Sequence, residues 1–171
     1  MLINRYNYEH NLRCHIKDEM INGQGMGEVS KLRYGLCRMS FNGCEVIAVY
    51  NALRYAGRPQ PLQEIALYLE RYRLLMGVFG CNMFRLDRAL RRFGAKCERI
   101  GDIGDTPAFI LSYWVGIPFL SPAHTVFCVR EKDRIKIYNR YNNCNTVRYV
   151  SRPEDIFGRH RPLTAYSIHN S

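Results

Sequence analysis

The feature that most constrains the fold is a nearly unbroken apolar helix pattern at residues 44–56. Its sequence, CEVIAVYNALRYA, is interrupted only by Glu45, Asn51 and Arg54. Gly57 and Pro59 follow, and these residue types commonly end a helix. A helix that is apolar on most sides is stable only inside a protein. The chain must therefore surround this helix with other elements, which requires a core of substantial size.

A chain of 171 residues can supply that core within one domain. Its hydrophobic content of 47% and charged content of 23% are ordinary for a globular protein, which excludes the fibrous and low-complexity classes. Residues 1–30 are polar and end in the glycine cluster NGQGMG, so they predict a poorly packed N-terminal arm. Residues 31–171 are then predicted to form a single domain.

Helix patterns precede strand patterns along the chain. Two more helices are predicted at residues 61–75 and 82–93, where apolar residues recur at helical spacing. Residues 109–114 are ambiguous, and short strands are predicted at residues 96–100, 117–120, 124–130, 134–139, 146–150 and 163–168. The sequence therefore predicts an α+β fold in which N-terminal helices, one of them central and buried, pack on a C-terminal antiparallel sheet.

Charge and cysteine content narrow the classes of partner and site. The net charge of +10 favours an anionic partner such as an acidic peptide, a phosphate or anionic lipid, although solvated surface charge is the alternative interpretation. The seven cysteines have no CxxC spacing, so neither a disulfide scaffold nor a metal site is predicted. With no signal-like start and no apolar run of membrane-spanning length, we expect a cytoplasmic protein without a membrane span.

Cys44 is the cysteine whose position in the sequence favours a role as a nucleophile. Asn42 and, three residues later, Glu45 have the character of a capping box, which predicts Cys44 in the first turn of the central helix. The positive end of the helix dipole stabilises a thiolate there, while the negative charge of Glu45 opposes it. The alternative role for such a cysteine is that of a small core residue.

A nucleophilic cysteine needs a base and a group that orients the base. His124 begins an otherwise apolar strand, whereas the other histidines lie in the arm, in an arginine-rich segment or near the C-terminus: His10, His15, His160 and His169. A hairpin centred on Lys132 places Asn139 within about one residue pair of His124. We therefore expect Cys44 Sγ within reach of a His124 ring nitrogen, with Asn139 beside the ring. A structural histidine and a turn asparagine are the alternatives.

The order Cys44, His124, Asn139 resembles that of papain-like cysteine peptidases. The segments at residues 42–57, 116–129 and 133–140 are most similar to a compact bacterial branch, the bacteriocin-processing peptidases that cleave double-glycine leaders. They read NGCEVIAVYNALRYAG, GIPFLSPAHTVFCV and DRIKIYNR. This resemblance, over roughly residues 36–150, implies a papain-like fold and acyl transfer without cofactor or metal. It also implies that Cys44 attacks a carbonyl, His124 moves the proton and Asn139 orients the imidazole.

The sequence departs from that family at three positions. Glu45 stands where the family usually has glycine. Asn139 stands where the leader-peptidase branch typically has aspartate, and in this respect the chain is more similar to papain itself, which has asparagine. Arg38 replaces a glutamine that usually contributes to the oxyanion hole, so Arg38, Ser40 and Asn42 are the candidate oxyanion donors.

The resulting hypothesis is a cysteine peptidase-like hydrolase that acts on a peptide or protein, with an acidic substrate favoured by the basic charge. A catalytically inactive papain-like binding module, and a papain-like acyltransferase or amidase, are the alternatives. Nucleic-acid binding through Arg85, Arg88 and Arg92 ranks last, because no RNP, zinc-finger or GXXG motif is present.

Overall fold

The structure is a computed structural model that describes residues 2–158 and 162–170. The α-helices are α1 (Leu2–Asn11), α2 (Met39–Asn42), α3 (Cys44–Tyr55), α4 (Leu62–Leu69), α5 (Leu86–Arg92) and α6 (Glu154–Phe157). The strands are β1 (Arg33–Tyr34), β2 (Cys37–Arg38), β3 (Lys96–Ile100), β4 (Ala108–Trp114), β5 (Ala123–Glu131), β6 (Arg134–Tyr138), β7 (Arg148–Val150) and β8 (Thr164–His169). Short 3-10 turns cover Gly27–Lys31, Glu70–Tyr72, Leu75–Gly77 and Met83–Arg85.

The main sheet has six strands within the described residues, in the order β3-β8-β4-β5-β6-β7, and all neighbours are antiparallel. The β5–β6 hairpin closes with Glu131 opposite Arg134. Lys132, with φ of 54°, supplies the positive φ that a two-residue hairpin turn needs. The antiparallel sheet that follows helices confirms the predicted α+β class.

Helix α3 is the centre of the core. Every residue from Cys44 to Leu53 is buried, and the helix packs against β4 and β5 on one side and against α4 and α5 on others. It stops at Tyr55 because Gly57, with φ of 69°, reverses the chain so that Arg58 N donates to Leu53 O at 2.8 Å. The predicted buried central helix is thereby confirmed.

The sheet has an apolar layer on each face, because successive side chains of a strand point to opposite sides. On β4, Ala108 and Ile110 face the helices, whereas Phe109 and Leu111 belong to a second cluster with Val126 on the far side. The sheet is therefore covered on both faces at its centre, which fixes the register of the strands that carry the candidate site.

The structure corrects the end of one predicted helix and removes one predicted strand. The helix predicted to reach residue 75 ends at Leu69, and the chain beyond it turns where Leu75 and Met76 adopt φ of 42° and 57°. The strand predicted at residues 117–120 is wrong, because this segment is a turn in which Phe119 has φ of 65°. The apolar residues of this segment are exposed, and a short apolar run in the sequence does not show whether its side chains are buried or exposed.

The N-terminal arm is packed against the rest of the molecule rather than loose. Cys14, Ile21 and Gln24 are buried, and α1 lies against α4. The Asn51 side chain of α3 accepts from Ile21 N at 2.9 Å and donates to Ile21 O at 3.0 Å. Side-chain amides therefore hold the arm in place, and hydrophobic periodicity does not reveal such contacts. The division of the chain at residue 31 remains a prediction.

Candidate active site

Cys44 is the first residue of α3 and lies at its buried N-terminal end. Asn42 does not cap this helix as the capping-box pattern suggests: Gly43 occupies the capping position and makes no side-chain bond. The Asn42 amide instead donates to Tyr34 O, at 3.1 Å, and to Gly77 O. Asn42 therefore ties α2 to β1 and to the 3-10 turn that ends at Gly77, and it does not cap the helix that begins at Cys44.

The Cys44 thiol contacts the carboxyl of its neighbour. Cys44 Sγ donates to Glu45 Oε2 at 3.3 Å, and the residue is only 7% exposed. Burial, and then the charge of Glu45, raise the pKa of Cys44 well above its ordinary value, while main-chain hydrogen bonding at Thr125 opposes the rise. The resting thiol is therefore protonated at neutral pH, despite its place at a helix N-terminus.

Glu45 is a buried acid enclosed by the loop at Gly80 and Cys81. A Cβ on Gly80 would lie 2.9 Å from Glu45 Oε2, so the carboxyl sits directly against this glycine. Burial raises the pKa of Glu45 to about 7, and main-chain hydrogen bonds, one of them at Cys81, oppose that rise. Glu45 therefore changes its charge close to neutral pH, next to the candidate nucleophile.

His124 is held by a main-chain carbonyl. Its Nε2 lies 2.7 Å from Asn139 O, and since a carbonyl only accepts, Nε2 must carry the proton. In the neutral ring Nδ1 then keeps its lone pair. Burial, and secondarily Arg140, lower the pKa of His124, while the Asn139 carbonyl opposes the decrease. Tyr113 packs edge-on against the ring, with centroids 6.1 Å apart.

Asn139 reaches His124 in an unexpected way. Phe127 pairs with Tyr138, a register that would place Asn139 opposite Val126, two residues from His124. The chain leaves the strand at Asn139, whose φ of 60° turns its carbonyl towards the ring. The Asn139 side chain points elsewhere: its Oδ1 accepts from Gln24 N at 2.9 Å and its Nδ2 donates to Gln24 Oε1 at 2.8 Å.

Cys44 and His124 lie on adjoining elements, but they do not form a pair at rest. Helix α3 packs on β5, and the Cys44 thiol interacts with the main chain of Thr125, the residue after His124. Within residues 2–158 and 162–170 no hydrogen bond joins the thiol to the imidazole. Cys44 and His124 thus lie on neighbouring elements, while the hydrogen bond of the Cys44 thiol is made to Glu45.

Among the candidate oxyanion donors, Asn42 has both amide hydrogens engaged. Arg38 is exposed and Ser40 is half-buried, at the start of α2. Neither of these two side chains has a hydrogen-bond partner in the part of the chain that the structure describes. Arg38 and Ser40 therefore have side-chain donors that no described residue occupies.

Comparison with known proteins identifies the fold. The peptidase domain of Streptococcus ComA, a bi-functional ABC transporter involved in quorum sensing, superimposes with a TM-score of 0.53 at 13% identity, covering 81% of this chain and 97% of that domain. The fold is that of a papain-like cysteine peptidase. A double glycine motif protease from an AMS/PCAT transporter, solved with its leader peptide, has a TM-score of 0.48 at 15% identity, with 75% of this chain and 84% of that one covered. Neither family models nor curated proteins gave a match.

The resemblance of this chain to the leader-peptidase branch is thus confirmed at the level of the papain-like fold. Two residues that the sequence did not single out also reach the site. Asn22 Oδ1 accepts from Asn139 N at 3.0 Å, and the buried Gln24 pairs with the Asn139 side chain. Both lie in the NGQG segment. The amide side chains beside glycines in this segment were the only sequence signal that could have indicated such contacts.

The remaining cysteines of this chain are all free, and most are buried. Cys144 differs, because its Sγ lies 3.1 Å from Thr146 Oγ1 near the surface, and hydrogen bonding with Thr146 lowers its pKa.

Over the described ranges, no three His, Cys, Asp or Glu side chains cluster as metal ligands. No helix in these ranges has the length and apolarity to cross a bilayer. His160 lies outside the described residues.

Proposed function

We propose that the protein is a cysteine hydrolase that cleaves a peptide or amide bond, with Cys44 as nucleophile and His124 as general base. The observation that carries this proposal is the bond from His124 Nε2 to Asn139 O, which leaves Nδ1 able to accept a proton beside the point where α3 meets β5. The papain-like peptidase fold supports the same assignment.

The first chemical step starts from two neutral groups. The pKa of Cys44 is raised and that of His124 is lowered, so a thiolate–imidazolium pair is not the resting state. We propose that the thiol leaves Glu45 and turns towards His124 when substrate binds. Its proton then moves to Nδ1 as sulfur bonds to the carbonyl carbon, in the manner of a general-base reaction. The Asn139 carbonyl stabilises the imidazolium that forms.

The second step restores the enzyme. The His124 proton passes to the leaving amine nitrogen as the C–N bond breaks, which leaves a thioester on Cys44. Water then attacks the thioester, giving its proton to Nδ1, and the acid product leaves as sulfur regains the proton. The oxyanion in both steps would be held by the Cys44 N–H together with Arg38 or Ser40.

We propose a peptide or protein substrate with acidic residues. The chain carries a net charge of +10, and exposed arginines lie on α5 and directly before it, around its buried apolar face: Arg85, Arg88, Arg91 and Arg92. In the described part of the chain these arginines form no ion pair with a carboxylate. Such unpaired charge attracts an acidic ligand and weakens its binding as salt is added.

Acylation by p-nitrophenyl acetate tests the proposed nucleophile and base. The Cys37→Ser/Cys144→Ser background removes the two cysteines that are not buried. We expect acetylation of Cys44 with release of p-nitrophenolate, and a loss of about 100-fold or more in His124→Ala, as for a general base. An unchanged rate in His124→Ala would overturn the proposal.

A specific observation favours an inactive binding module as the second candidate. The thiol is bonded to Glu45 and not to His124, an arrangement that a core cysteine would also adopt. This alternative predicts that Cys44 is not acetylated faster than Cys14, which is also buried, and that Cys44→Ala still binds the peptide ligand with unchanged affinity.

A further inference from the structure

We infer that Gln24 is a positioning residue that sets the orientation of His124 through Asn139. This inference rests on the proposed function, since it assigns a residue of the N-terminal arm to the same site. It also accounts for the buried polar contacts of the segment at residues 22–25, which we call the strap.

The strap holds Asn139 from two directions. The Gln24 side chain and main chain together form two hydrogen bonds with the Asn139 amide, at 2.8 and 2.9 Å. Asn22 Oδ1 accepts from the Asn139 main-chain N–H at 3.0 Å. The side chain and the N–H of Asn139 are therefore both committed to the strap, and its carbonyl is left for the histidine.

This restraint matters because Asn139 lies beyond the end of β6. Its φ of 60° is a left-handed conformation that is less favourable for residues other than glycine, although asparagine tolerates it better than most. The bond from His124 Nε2 depends on the carbonyl direction that this conformation gives. An unrestrained Asn139 would let that carbonyl turn away, and the ring would lose its fixed tautomer.

The strap is itself anchored on the segment that leads to Cys44. Gln24 Nε2 lies 3.3 Å from both Met39 O and Ser40 O of α2, and Asn142 Nδ2 donates to the same Ser40 O. Gly25 approaches the loop after Asn139 so closely that an added Cβ would lie 2.4 Å from Asn143 Oδ1. The strap thus links the chain that carries Asn139 to the helix that precedes the nucleophile.

Gln24 cannot act on substrate directly, because it is 1% exposed and its amide is occupied. Any effect it has on the reaction must pass through the groups it binds, which are Asn139 and the main chain of α2. The chain offers a matched control in Asn11, another buried arm amide, which accepts from Arg33 N at 2.8 Å and donates to Arg33 O at 2.9 Å. Within the described residues Asn11 makes no hydrogen bond to Asn139, because both bonds of its side-chain amide go to Arg33.

The test compares Gln24→Ala with Asn11→Ala in the Cys37→Ser/Cys144→Ser background. We expect Gln24→Ala to slow acetylation of Cys44 by p-nitrophenyl acetate about 10-fold, a part of what a general base supplies, and Asn11→Ala to change it less than about twofold. Nitrogen-15 shifts of the His124 ring should show mixed protonation of Nδ1 and Nε2 in Gln24→Ala alone. Circular dichroism verifies that each variant is folded.

Asn139→Gly sharpens the test, because glycine keeps the positive φ and the carbonyl but removes the amide that Gln24 binds. Adding Gln24→Ala to Asn139→Gly should slow acetylation no further, as expected for residues that act through one contact. Equal rates in Gln24→Ala and Asn11→Ala, with the His124 tautomer unchanged, would overturn the role of Gln24 while His124→Ala could still confirm the proposed base. If His124→Ala has no effect, the proposed function fails, and the ring shifts alone decide whether Gln24 positions His124.

Discussion

The two thiols at Cys44 and Cys144 have opposite environments. Cys44 begins a buried helix beside a carboxyl, and its pKa is raised, whereas Cys144 lies in a surface loop where hydrogen bonding with Thr146 lowers its pKa. Helix position alone would make Cys44 the more acidic thiol. Burial and one adjacent acid thus outweigh the effect of a helix N-terminus on the pKa of Cys44. Under the proposed function, Cys44 would depend on His124 to remove its proton rather than on ionisation at rest.

The largest expected effect is a difference between the alkylation rates of Cys44 and Cys144. Without substrate at pH 7, iodoacetamide should modify Cys144 about 100-fold faster than Cys44, because only the thiolate reacts and Cys44 is also shielded. Peptide mass spectrometry over a time course measures both rates in one sample. Cys144→Ser, which should leave the slow rate at Cys44 unchanged, is the control. Faster modification at Cys44 would show that its thiol is ionised at rest.

The second effect concerns stability and the buried acid. The folded-state pKa of Glu45 is about 7, above the ordinary value of 4.5, so the folded protein holds this proton more tightly than the unfolded chain. The free energy of unfolding should therefore fall as pH rises from about 4.5 to 7, by on the order of 3 kcal/mol relative to Glu45→Gln. Urea denaturation at pH 4.5 and pH 8 measures this difference.

Glu98→Gln on the exposed side of β3 is the matched control for that measurement, since it removes one carboxylate without changing a buried one. If Glu45→Gln and Glu98→Gln have the same pH dependence of unfolding, Glu45 does not titrate in the folded protein near neutrality.

The smallest effect concerns the thiol itself. Glu45→Gln removes the charge that helps to raise the pKa of Cys44, so its alkylation at pH 8 should become several-fold faster, about 3- to 10-fold for up to one unit of pKa. At pH 6, where Glu45 is protonated, the variant and the wild-type protein should react at similar rates. A pH series of iodoacetamide labelling in the Cys144→Ser background distinguishes this pattern from a uniform gain caused by loosened structure.

Much of the fold could be predicted from the sequence, because periodic patterns report burial. The apolar run at residues 44–56 indicated a central helix, and the alternation around Lys132 indicated the β5–β6 hairpin. The strand predicted at residues 117–120 was wrong, because a short apolar run between glycine and proline can form an exposed turn as readily as a strand. The resemblance to papain-like peptidases depended on the order of three residues and on the segments at residues 42–57, 116–129 and 133–140, and the fold confirms that resemblance.

By itself, the sequence determined the layers of the molecule and indicated that Cys44, His124 and Asn139 lie in one region. Hydrophobic periodicity and residue order can be read directly from the chain, which is why both were predictable. Only the tertiary structure decided which atoms meet there. The thiol faces Glu45, the Asn139 carbonyl rather than its amide holds His124, and Gln24 binds that amide from 115 residues away. Such contacts depend on one left-handed residue and on desolvation, and neither leaves a periodic trace in the chain.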